Sequence, residues 1–441
     1  MNRLSLAEEI IGLALRRGAD MADVYIKDYK NLSVEVKQQD VESLDSSETI
    51  GIALRVIRQK RLGFSFTTDV DSIGKMVDDA VEASRWSGED VYLDLPERSI
   101  ASDIDIFDEK IADVSEGSAI ENALMLEKSA LSFDRRIKKV RKASAFFYCS
   151  FTSFANSKGV SAHYKGTIVS SHIMAIAEDK GDSQMAWDMG IARFLEAIDF
   201  SAIGKSAADN AVSLLGARRI SAVKAPVILD PFVATEFLGI LASSFNSDNI
   251  QKGKSMLKGK LGMDIMSPVI TIVDNGQMQR GIGSTPVDDE GVPTMKKDVV
   301  AKGKLLCYLY NTYTARKDNT ASTGNAVRGD FKGIPSVGVT NLYIEKGDID
   351  RGALVKLPGR AIYIMEAMGM HTINPISGDF SVGVTGLWME NGEVAYPVKE
   401  AVISGNILDL FRRVRAVGSD LRFYGRVGSP SLLIEDIDIS G

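Results

Sequence analysis

"SAVKAPVILDPFVATEFLGILASSF", residues 221–245, reads as two elements joined at one dipeptide. The run up to Leu229 is apolar and short, which is the length and composition of a buried strand. Asp230-Pro231 then supplies an N-cap acceptor and a first residue whose fixed φ suits a helix. Beyond it Phe237, Leu241 and Phe245 recur every four residues, the spacing of a core-facing helical stripe. A buried strand running straight into a buried helix opens the second half of the chain, and the boundary is expected near residues 219 to 225.

Working outward, residues 4 to 17 interleave Leu6, Ile10, Leu13 and Leu15 with charges, and Gly18 ends that helix. Alternation at Val34 and Val36 and again from Ile50 to Phe66 predicts an antiparallel meander. A helical period resumes through Ile73, Val77 and Val81, and an acidic, weakly patterned connector covers about 89 to 114. A helix over roughly 115 to 134, strands over 139 to 181 and a helix over 202 to 217 complete the first half. From about residue 260 short alternating runs carry turn signals at Asp274-Asn275-Gly276 and Glu390-Asn391-Gly392-Glu393, so this half is expected to be mainly β. The expected class is α+β: N-terminal helices on a mostly antiparallel sheet, then a β-rich barrel-like or large mixed-sheet domain. The domains implied are 1–110, a middle α+β region 111–220 that continues the N-terminal half, and 221–441.

At 441 residues the chain exceeds what one core usually supports, so two or three domains are expected. Apolar residues at 45%, charged residues at 25% and only 11 prolines describe a globular chain and not a disordered one. The net charge of −7 argues against a nucleic-acid partner, which needs a diffuse positive field. Glu8 and Glu9 interrupt the first apolar run, so it reads as an amphipathic helix and not a signal peptide. No uncharged apolar stretch approaches a membrane span. Cys149 and Cys307, far apart, fit buried thiols in a reducing cytoplasm.

Gly253-Lys254-Ser255 invites a phosphate-loop reading, but that motif needs a glycine where Asp248 stands and a strand leading into a helix. A solvated loop is expected instead. His163 and His172, nine residues apart on one strand, fall on opposite faces and cannot share a metal. His371 lies in a Gly- and Pro-punctuated loop where a ligand or general base is conceivable. No His-x-x-x-His or His-Glu pair occurs, and no Gly-x-Ser-x-Gly elbow, so neither a zinc site nor a serine-hydrolase site is assembled by local motif. Asp288, Asp289 and Glu290 could hold Mg²⁺ or orient a cationic group, although adjacent side chains in a turn seldom converge, which favours a structural turn. Residues 322–333 read as a flexible loop able to clamp a ligand.

Several blocks together resemble the TldD/PmbA family, whose PmbA members are also called TldE and were named as modulators of DNA gyrase. They are "KGKSMLKGKLGMDI", "VDDEGVPT", "STGNAVRG", "PSVGVTNLYIEKGD", "NPISGDFSVGVTGLWMENGEVAYPVKEAVISGN" and "GSDLRFYG", in the family's order. By this resemblance the TldD-type members are zinc peptidases with His-Glu-x-x-x-His on a helix and a third ligand, a cysteine, near the C-terminus. Counted back from the shared "KGKS", the histidine positions fall on Leu238 and Ser243 and the glutamate position on Gly239, and the tail has no cysteine. The resemblance therefore implies a metal-free TldE/PmbA-type subunit, with zinc in a TldD-type partner of a heterodimer. A homodimer is possible when the chain is alone. The two chains would enclose a chamber for unfolded peptides, in the cytoplasm, with no membrane. The expected peptide-facing residues are Asn325, Arg328, His371, Asp379 and Ser381, because flanking glycines allow close backbone approach. An independent peptidase and a regulator of DNA gyrase are the alternatives.

Overall fold

The computed structural model describes residues 2–98 and 100–441. The first half runs α1 (Arg3–Arg16), β1 (Met21–Lys37), β2 (Asp40–Arg58), β3 (Arg61–Thr67), α2 (Ile73–Trp86), α3 (Glu109–Ala112), α4 (Glu116–Leu131), β4 (Ile137–Asn156), β5 (Ser161–Asp179), β6 (Asp182–Ala192) and α5 (Phe200–Ser213). Its six strands form one antiparallel sheet in the order β3-β2-β1-β4-β5-β6. β1 pairs with β4 from Asp23 to Val36, so the sheet is continuous across residue 110. Alternation explains the sheet, since Leu32, Val34 and Val36, every second residue along this part of β1, are buried and the residues between them are not. The helices cover it in two groups. α1 and α2 bury Leu6, Ile10, Met76 and Val77 against β1 and β2, while α4 and α5 bury Leu126, Ala130, Ala207 and Ala211 against β4 and β5. Gly63 lets β3 come up against α2, because a Cβ there would come within 1.9 Å of the Ala80 carbonyl oxygen.

The second half begins with β7 (Val223–Leu229) and α6 (Pro231–Phe245), as the strand-cap-helix pattern predicts. Asp230 accepts the Phe232 N–H at 2.9 Å, and Pro231 occupies the first turn. There follow β8 (Ile272–Asn275), β9 (Lys296–Ala301), β10 (Lys304–Leu305), β11 (Ala326–Val327), β12 (Ser336–Val337), β13 (Leu342–Ile344), β14 (Arg360–Met368), β15 (Asp379–Glu390), β16 (Glu393–Asn406), β17 (Val414–Val417), β18 (Arg422–Tyr424), β19 (Val427–Ser429) and β20 (Leu432–Ser440). β16-β15-β14-β7-β20 close into a five-stranded barrel through the β16–β20 pairing, with β17 appended to β20. β7 and β14 run parallel, and the other barrel pairings are antiparallel. A second sheet follows the order β10-β9-β8-β13-β19-β18. α6 shares one core with both: Phe237, Leu241 and Phe245 are fully buried among Ile362, Phe380 and Val382 of the barrel and Ile272 and Leu342 of the second sheet.

The two turn signals have different fates. Asn391 and Gly392 adopt φ +54° and +82° and close the β15–β16 hairpin, as expected. Asp274-Asn275-Gly276 ends β8 without a hairpin, and β9 returns only at Lys296. The reason is that Asp274 is wholly buried and its carboxylate accepts from Lys297 Nζ at 3.0 Å, Asn325 Nδ2 at 2.8 Å and the Thr340 N–H at 2.7 Å.

The two halves are fastened by buried charge. Arg55 on β2 lies 2.5 Å from Asp23 Oδ2 on β1 and 2.8 Å from Glu290 Oε1 of the second half, and all three side chains are nearly inaccessible. Glu290 Oε2 accepts the Thr312 N–H at 2.9 Å. Arg328 approaches the other Asp23 oxygen at 3.5 Å. Removing one partner strands the others without compensation, so Arg55→Met is expected to cost about 3–5 kcal/mol, measured as the shift in urea unfolding free energy. A loss under about 1 kcal/mol, the size of an exposed pair, would show that this network does not fasten the seam.

Candidate functional site

α6 is the element on which the expected chemistry turns, and its two faces differ. Leu238 points into hydrocarbon and is fully buried. Glu236, Gly239, Ile240 and Ser243, spaced i, i+3, i+4, i+7, make the accessible stripe. A Cβ at Gly239 would meet nothing within 4 Å. The Ser243 hydroxyl donates back to the Ile240 carbonyl at 3.1 Å. Zinc requires about four N, S or O donors in tetrahedral array. Leu238 and Gly239 offer none and Ser243 offers one hydroxyl, so these residues do not fit a zinc ion. Among the described residues no group of three or more His, Cys, Asp or Glu side chains is arranged to hold a metal.

What the accessible stripe does hold is a carboxylate. Burial and the neighbouring Glu366 carboxylate of β14 push Glu236 up to about 7. Its Oε2 is buried without a partner. Burial likewise raises Glu366. Beside them a cavity of about 100 Å³ lies between β6, α5 and the start of α6, lined by Trp187, Asp188, Asp230, Arg351, Glu366 and Arg422 among others. Arg422 pairs with Asp188 at 2.6 Å, and Tyr363 donates to Asp230 at 2.6 Å. Trp187, Phe232 and Tyr424 stack edge to face at 4.4 and 5.0 Å between ring centres. Nothing in the local sequence marks Glu366, because β14 brings it to α6 from 130 residues away.

The structure divides the five expected peptide-facing residues. Asn325 is fully buried, and its amide is consumed by Asp274, Gly338, Lys297 and Thr323 at 2.7–2.8 Å. Arg328 is buried over the Tyr25 ring and donates to the Gly333 carbonyl at 2.7 Å. The expected flexible loop 322–333 is therefore fastened by its own polar side chains at these two points. His371, Asp379 and Ser381 stand exposed together at the β14–β15 end. The β14 ladder reaches β15 only at Gly383, so β14 leaves the flank of Phe380–Val382 uncovered.

Other sequence motifs settle into structural roles. Gly253 and Lys254 are exposed as expected, but Ser255 is buried and donates to the Ser244 carbonyl at 2.7 Å, tying the loop to the end of α6. His163 contacts Ser153 at 2.9 Å, and His172 stacks on Trp187. The acidic turn 288–290 is a turn that also orients a cation, Arg55. Cys149 is buried, whereas Cys307 is only half-buried.

Comparison with known proteins fits this architecture. Family models described as PmbA/TldA metallopeptidase domain 1, central domain and C-terminal domain match residues 22–84, 109–215 and 222–441. Metalloprotease PmbA of Escherichia coli O157:H7 is 30% identical over 99% of this chain and 96% of its own length. A crystal structure from Thermotoga maritima, whose description proposes a modulator of a DNA gyrase, superposes with a TM-score of 0.92 at 27% identity and covers 99% of both chains. TldE from Thermococcus kodakarensis shares the fold, with a TM-score of 0.90 at 20% identity over 98% of this chain and 99% of that one.

The raised Glu236 value has a stability consequence. The native state keeps a proton that the unfolded chain releases near its ordinary 4.5, so this site's contribution is fullest below about 4.5, declines as the pH rises to about 7, and is level above. Glu236→Gln removes the decline. The unfolding free energy of Glu236→Gln relative to the parent is expected to rise between pH 5 and pH 8, by on the order of 1 kcal/mol after allowance for solvent screening. A difference that stays constant across that range contradicts the assignment.

Proposed function

The chain belongs to the PmbA/TldD metallopeptidase family, and from that membership we propose that it is the metal-free TldE/PmbA-type subunit of a two-chain peptidase. The observation that carries this reading is α6. It keeps the packing of a site-bearing helix while Leu238, Gly239 and Ser243 stand where donors would be needed. In this reading a TldD-type partner holds the zinc, the pair works in the cytoplasm, and this subunit completes the chamber and grips unfolded peptides.

A peptide-binding role is supported by the open flank of Phe380–Val382. An extended peptide pairs with strand backbone that lacks a neighbour, and β14 pairs with β15 only from Gly383 onward. His371, Asp379 and Ser381 frame that flank, so they are the residues retained from the expected set. Asn325 and Arg328 instead fasten the loops around Asp274, Gly333 and Gly338. The gyrase reading rests on the description of the Thermotoga relative, and a gyrase complex that persists without any TldD-type chain would favour it.

Reconstitution tests the proposal. The purified chain alone is expected to leave an unfolded peptide such as reduced casein intact, with or without added zinc. Adding a TldD-type partner is expected to give cleavage that a chelator abolishes. Ser381→Pro, placed on the open flank, is expected to raise KM at least about fivefold with kcat little changed. Chelator-sensitive cleavage by this chain alone would replace the proposal with an independent peptidase.

A further inference from the structure

The seam between the halves encloses another cavity, of about 150 Å³, with no wall from α6. Its floor is the face of the first sheet where Lys27, Thr152 and Tyr164 stand side by side on β1, β4 and β5. Its roof comes from the second half, including Asp289, Arg328, Thr340 and Arg426. A cavity of this volume accepts a ligand of about six non-hydrogen atoms.

The charges in it are unbalanced and separated. Arg193 is buried, and its guanidinium donates only to backbone carbonyls, of Thr167, Gly281, Ile282 and Ser284, at 2.6–3.2 Å. Among the described residues no carboxylate stands within ion-pair distance of Arg193, Lys27 or Arg426; the Lys27 ammonium instead sits 5.6 Å from the Tyr148 ring centre. Arg328 is already engaged with Asp23. Asp288 spreads its carboxylate over the N–H groups of Glu290, Val292 and Ala326. Asp289 gives one oxygen to the Arg328 N–H at 2.6 Å and leaves the other without a donor. The Thr340 hydroxyl, in a residue 4% exposed, also lacks a partner. Burial of the uncompensated guanidinium, with Arg426 nearby, pulls Arg193 down to about 10. Tyr164 is held as a neutral phenol, first by burial and then by Asp289.

A buried cation without a counter-ion favours an anion beside it, and a free carboxylate oxygen across the same space favours a cation. We propose that the seam cavity binds a small zwitterion, an α-amino acid of alanine size. Its carboxylate lies toward Lys27, Arg193 and Arg426, its ammonium meets Asp289, and the Thr340 hydroxyl completes the set. This site does not depend on the assignment of the chain as a peptidase subunit.

Saturation-transfer NMR on the full chain tests it, with L-alanine as the probe and acetate and methylammonium as half-ligands at matched ionic strength. Alanine is expected to bind, with each half-ligand at least about tenfold weaker, the scale of a lost charge-assisted hydrogen bond. Lys27→Met, Arg426→Leu and Asp289→Asn are each expected to weaken alanine by a similar factor at an unchanged melting temperature. Arg426 is exposed at the rim, so its replacement leaves the core intact and keeps the test valid if Asp289→Asn loosens the loop. Absence of alanine binding, acetate binding as tightly as alanine, or alanine affinity unchanged in Lys27→Met and Arg426→Leu would each overturn the proposal.

Discussion

Three side chains buried across one seam, Asp23, Arg55 and Glu290, hold the molecule in its arrangement. Each half builds its own core, the first around the antiparallel sheet and the second around α6, and a smaller apolar cluster of Tyr25, Phe154, Val160 and Phe331 crosses between them. Buried charge adds a directional constraint that this packing lacks. A carboxylate and a guanidinium taken out of water are tolerated only in register with each other, so the pair on β1 and β2 accepts a single position for the loop that carries Glu290. Arg328 reads the same register from a second loop. The seam cavity is a by-product of this fastening, because it is bounded by the strand face and loops that the ion network brings together.

The elements of the fold were legible because their signals are local. Strand alternation, the Asp230-Pro231 cap and the Asn391-Gly392 turn each act within a few residues. The barrel was legible only as a tendency, since its closing contact joins Val402 and Ile403 to the last residues of the chain. The ion network was invisible. Arg55 and Glu290 are 235 residues apart, and no pattern within a window reports such a pair. Glu290 did stand out as part of an acidic turn able to orient a cation, and the missing information was which cation.

The candidate site divides along the same line. The poor donor set of Leu238, Gly239 and Ser243 could be read only through the family resemblance, by counting back along the helix from the shared "KGKS" block. The grouping of Asn325 and Arg328 with His371, Asp379 and Ser381 rested on neighbouring glycines, which report backbone freedom and not direction. The first two turn inward to satisfy buried polar groups and the last three stay in solvent. A better local signal existed for the seam cavity. Tyr25 and Lys27, and likewise Tyr148, Ser150 and Thr152, repeat polar groups every second residue on strands whose other face is apolar. That pattern marks a strand face covered by something polar.

On the proposed reading this chain lends a scaffold to a metal that another chain holds. Native mass spectrometry of the protein isolated from its own cells under mild conditions reads partner mass and metal content in one spectrum. The expected result is a complex with a different chain, carrying one zinc that stays with that chain on dissociation. A homodimer with zinc on each copy of this chain would contradict it, and would place the ligands somewhere other than α6.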